Sequence, residues 1–168
     1  MIRIGAPLAL LAGAITLAVL NLGNAQTPAS PDARRPQAYQ PSVSDLMTIA
    51  VQPRHIKLGL AGQEKNWTYA AYELRELHGA FERIAQAVPT YRSMNMADLI
   101  TATTKAPMED VAAAIKSGDA AKFAEAYAQL TATCNACHQS TEHGAVAIQV
   151  PNASSYPDQD FMPPKPPR

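Results

Sequence analysis

Apolar residues recur along this chain at three- and four-residue steps, the spacing of one face of an α-helix, in four successive blocks. The clearest block spans 64–88. There Trp67, Ala70, Ala71, Leu74, Leu77, His78, Phe81, Ile84, Ala85 and Val88 form one stripe, Glu73, Arg75, Glu76, Glu82 and Arg83 lie off it, and Pro89 ends it. An earlier block over 43–61 carries Leu46, Met47, Ala50, Val51, Ile56, Leu58 and Leu60, opens on a Ser42/Asp45 capping box and has Gly62 as its stop. Pro53 inside it predicts a kink or two shorter helices. A weaker third block is expected to be one interrupted helix: a stretch at 96–103, then Pro107 opening 108–116, with Gly118 as the stop. Asp119 caps the last helix, whose stripe of Phe123, Ala126, Tyr127, Leu130, Cys134 and Cys137 runs to about residue 141. Four helices with short connections predict an all-α fold, an antiparallel four-helix bundle.

Both ends break this pattern. Residues 6–22 are apolar and uncharged behind Met1-Ile2-Arg3, and Gly23-Asn24-Ala25 supplies the small residues of a cleavage site. This predicts a signal peptide over 1–25, cut after Ala25, and a periplasmic location; an uncleaved membrane anchor is the competing expectation. No cysteine stands at the cut and no twin arginine precedes the run, which points to the general export route. Prolines then punctuate a linker over 26–41 and crowd the tail over 144–168, leaving 42–143 as the folded core. The extended tail is expected either to dock on another protein or to be disordered.

Composition narrows the function. Fourteen basic against fourteen acidic residues, with no long run of either sign, give no footprint for nucleic acid. Aromatics at 6% and abundant alanine disfavour a β-sandwich or barrel. The chain has no glycine-rich phosphate loop and no HExxH or GxSxG motif.

The chemistry lies in Cys134-Asn135-Ala136-Cys137-His138, a C-x-x-C-H run. In this arrangement two thiols attach haem c covalently and the following histidine ligates its iron. On a helix all three side chains project toward one side, that of Phe123, Tyr127 and Leu130. A disulfide or thiol oxidoreductase motif is the alternative, although redox C-x-x-C pairs usually open a helix and this one stands near a helix end. A zinc site would need His143 as its fourth ligand.

A leader, four helices and a single C-x-x-C-H near the end of the last helix resemble the cytochrome c′ family over roughly residues 42–143. Arg54-His55-Ile56-Lys57-Leu58 and the segment from Asn66 to Leu74 also resemble a cytochrome-c′-like group of exported monohaem proteins without an assigned role. Pro53 and the long tail depart from the family pattern. The resemblance implies that Cys134 and Cys137 hold the haem, that His138 is the proximal ligand, and that the opposite axial side chain comes from the first helix. Met47 and His55 are the candidates there, with a core methionine and a surface histidine as their plain alternatives. Arg54 and Lys57 are candidate partners of the haem propionates. His78 is a further histidine able to approach the haem, although a buried, locally satisfied side chain is the simpler expectation. His143 is expected to face solvent. The expected role is a non-enzymatic electron carrier between periplasmic or membrane-bound redox proteins. With five-coordinate iron it becomes a protein that binds NO or CO. Homodimerisation through the first two helices is implied by the family alone.

Overall fold

The computed structural model describes residues 38–165. The leader, its cleavage site and most of the 26–41 linker lie outside this range, as do 166–168. Among the described residues no helix is long and apolar enough to cross a membrane.

The fold is mostly helical. Its first helical stretch joins α1 (Val43–Leu46), a π turn (Met47–Val51) and α2 (Gln52–Gln63) through right-handed backbone at every junction. The Ser42/Asp45 capping box starts it. Pro53 neither breaks the helix nor leaves two. Its ring would crowd the carbonyl one turn back, and the chain widens that turn instead, with the Gln52 amide donating to Met47. One added residue rotates everything beyond it by about 100°, which buries His55 at 4% exposure where a straight helix would leave it on the flank.

The next helix, α3 (Trp67–Ala87), is capped by Asn66 rather than beginning at Glu64. Gly62 does not stop the preceding helix. A Cβ there would fall 2.0 Å from the Phe123 ring, and one on Gly59 would fall 2.6 Å from the Tyr127 hydroxyl, so both glycines serve close helix approach. A two-residue hairpin that the hydropathy pattern does not predict follows: β1 (Thr90–Tyr91) pairs antiparallel with β2 (Met94–Asn95). Its turn residues Arg92 and Ser93 both have positive φ, 45° and 65°, the backbone of a primed turn without the usual Asn-Gly. α4 (Met96–Ser117) runs through Pro107 without interruption, its buried stripe of Met96, Met108, Val111, Ala114 and Ile115 continuous across the proline. Gly118 ends it at φ 66°, and the Asp119 carboxylate caps α5 (Ala120–Ser140).

The helices pack α2 on α3, α3 on α4, α4 on α5 and α5 back on α2. Gly62 meets Phe123, Gly59 meets Tyr127 and His55 meets Thr131, so α2 and α5 run antiparallel. The tail forms no helix or strand, yet it lies on α2 and the start of α3. The Gln63 amide donates to the Pro151 carbonyl at 2.8 Å and Asn66 to that of Met162 at 3.0 Å. The Lys57 ammonium sits 4.5 Å from the Tyr156 ring centroid, and the buried Phe161 stacks on Tyr69. Between Pro151 and Met162 the tail is thus held against its own chain.

Candidate functional site

Cys134, Cys137 and His138 occupy the last turns of α5. Both thiols are free and half-buried. Their spacing on a regular helix puts the Cβ atoms about 5–6 Å apart, wider than the roughly 3.5–4.5 Å a disulfide spans. Burial pushes the Cys134 thiol up to about 11, helped by the neighbouring Cys137, and burial raises Cys137 as well. A thiol oxidoreductase needs the opposite shift.

His138 is held from behind. Its Nδ1 lies 2.7 Å from the Val146 carbonyl, which can only accept, so Nδ1 carries the proton and the Nε2 lone pair is left for a metal. Between the cysteines, the Asn135 amide pairs with the backbone of Ile148 in both directions: Nδ2 donates to the carbonyl at 2.8 Å and Oδ1 accepts from the amide at 2.7 Å. Asn135, Val146 and Ile148 were not among the residues that the sequence singled out. The one available signal was an amide side chain, both donor and acceptor, inside the C-x-x-C run.

The antiparallel register set by Gly62, Gly59 and His55, continued by two helical turns, brings the π turn Met47–Val51 level with Cys134–His138. Met47 is half-buried and packs against the core from this turn. His55 stands eight residues further along, about 12 Å down the helix axis. It has its own partners: Nε2 lies 3.0 Å from the Thr131 hydroxyl and Nδ1 3.0 Å from that of Tyr127. Thr131 donates onward to the Tyr127 carbonyl, so its oxygen accepts from His55 Nε2–H, while the Tyr127 hydroxyl serves Nδ1 and the His55 carbonyl. The expectation of a surface His55 is overturned by this closed network.

Burial pushes His55 down to about 4 from its ordinary 6.5, which predicts a measurable acid sensitivity. A histidine whose folded pKa is depressed contributes nothing adverse above pH 6.5; as pH falls from 6.5 to 4 the unfolded chain takes up the proton first and stability drains. Denaturant titrations at pH 7 and 4.5 should show His55→Leu losing about 2 kcal/mol less than the parent chain over this window. Equal losses would show that His55 is solvated.

The remaining candidates have partners within the chain. Arg54 Nη1 lies 3.1 Å from a Glu73 carboxylate oxygen and Nη2 3.7 Å from Glu76. Glu73 is 1% exposed, so the inward face of α3 is Ala70, Glu73, Leu77, Ala80, Phe81 and Ile84. His78, expected on that stripe, instead projects outward 3.6 Å from Glu82. The Arg54 charge lets Glu73 turn inward, and the stripe rotates accordingly. His143 is exposed and meets the Tyr91 hydroxyl at 3.3 Å, beside an Arg92–Glu142 ion pair, so the hairpin docks on the turn after α5. Among the described residues no three His, Cys, Asp or Glu side chains are grouped as a bound metal would require. No family model matches the chain, and no curated protein and no solved structure matches it.

Proposed function

We propose that this chain is an exported monohaem c-type cytochrome, a one-electron carrier built as an antiparallel four-helix bundle of the cytochrome c′ kind. The observation that carries this reading is the pairing of a C-x-x-C-H helix with a His138 imidazole whose Nδ1–H is held by the Val146 carbonyl. Cys134 and Cys137 would hold the haem through thioether bonds, with His138 Nε2 as proximal ligand. Met47 would supply the opposite side chain, because its turn is level with the motif while His55 is bonded to Tyr127 and Thr131. The haem supplies reversible one-electron iron chemistry when bound. The chain holds the His138 imidazole in one tautomer and orientation through the Val146 carbonyl, and His138 and Met47 would together hold the iron. Redox proteins of the periplasm or its bounding membrane are the partners in this reading, and the activity is transfer rather than catalysis.

Visible spectra of the protein matured with haem test it. The ferrous form should show sharp α and β bands that CO leaves unchanged, and Met47→Ala should convert it to a broad spectrum that shifts with CO. CO binding by the parent chain would replace electron transfer with gas binding. Absence of haem would return the cysteines to thiol chemistry.

A further inference from the structure

The segment after α5 crosses back over the motif helix at two points: Val146 takes the His138 Nδ1–H, and Ile148 is gripped by the Asn135 side chain at 2.7 and 2.8 Å. Asn135 points away from the direction the two cysteines need, and its paired bonds match those of a strand edge, which restrains Ile148 in translation and rotation together. Val146 is two residues upstream, at the bend that follows the turn at 144–145, so fixing Ile148 restricts where the Val146 carbonyl can go. Val146 itself is 53% exposed, so packing does little to hold it. On the described chain, its carbonyl keeps its place through the neighbours at Ile148 and through the amide of Val146, which donates to the His143 carbonyl at 2.8 Å.

We infer that Asn135 is a positioning residue for the proximal ligand: it clamps 146–148 so that the Val146 carbonyl holds His138, and through that hydrogen bond it sets the potential of the iron. This rests on the cytochrome reading and adds to it a control of the same site. A carbonyl accepting from Nδ1–H makes the imidazole a stronger donor, which favours the oxidised metal. Loosening the clamp therefore raises the reduction potential.

The test compares Asn135→Ala, Ile148→Pro and the double variant, with Asn135→Asp retained as the conservative change. Ile148→Pro removes the amide that Asn135 Oδ1 accepts without touching α5. In the haem-loaded protein, Asn135→Ala should raise the potential, Ile148→Pro should raise it by a similar amount, and the double variant should add little to either. Asn135→Asp, which still accepts from Ile148, should fall between. Hydrogen exchange should show the His138 Nδ1–H freed about tenfold, the loss of one net hydrogen bond, while thermal melting of the bundle stays close to that of the parent. A potential that does not move although Ile148 exchanges faster would overturn the positioning role and leave the cytochrome reading intact. Additive shifts would overturn it as well, since the two residues would then act separately. If no haem attaches to the parent chain, both readings fall.

Discussion

Replacing Cys134 and Cys137 together by alanine is expected to abolish covalent haem attachment while leaving the helices folded. Both thiols are half-buried at the open end of α5, where removing one sulfur costs about 1 kcal/mol or less. Loss of the chemistry, by contrast, should be complete: with no thiol to add, haem held only by His138 would leave on denaturation. Single substitutions should retain attachment through one bond at reduced yield. Haem absorbance following the denatured chain through a sizing column is the measurement. Haem that stays with the denatured double variant would show that attachment lies elsewhere.

The second large effect is expected at Arg54. Glu73 is 1% exposed, and Arg54 supplies its hydrogen bonds at 3.1 and 3.4 Å. Arg54→Met keeps the length and apolar stem of the side chain but leaves a carboxylate enclosed between α2 and α3 without its counter-charge. Breaking a buried pair in this way costs about 3–5 kcal/mol. Adding Glu73→Gln to Arg54→Met should restore much of the loss, since a neutral amide is cheaper to enclose than a charge. Denaturant unfolding of the two single variants and the double would decide it. A cost below about 1 kcal/mol for Arg54→Met would mean that water screens the pair as it does at a surface.

That same pair explains where hydropathy misleads. A pattern reading counts Glu73 as solvent-facing and His78 as core, and the structure exchanges them because the ion that makes Glu73 buriable arrives from 19 residues away. Pro53 misleads in the same way: its effect depends on whether the preceding turn can widen, which is a property of backbone and packing rather than of the proline. Features decided by adjacent residues were legible. The Ser42/Asp45 box, the Gly118 stop, the Asp119 cap and the C-x-x-C-H helix all need only neighbours within a few positions. The hairpin was hidden because Arg92 and Ser93 adopt positive φ without glycine or asparagine to announce it. The His55 network and the grip of Asn135 on Ile148 were hidden because their partners lie 72–76 and 13 residues distant.

Those separations also set an order of assembly. The bonds behind His138 close loops of 8 and 13 residues, and closing a loop of about ten residues takes on the order of 10–100 ns. The face that Met47 presents is different. Its alignment with α5 depends on contacts more than sixty residues apart at Gly62 and Phe123 and at His55 and Thr131, and such closures carry a larger entropic barrier. The two sides of the motif helix are thus made by unequal events, one local and early, the other global and late.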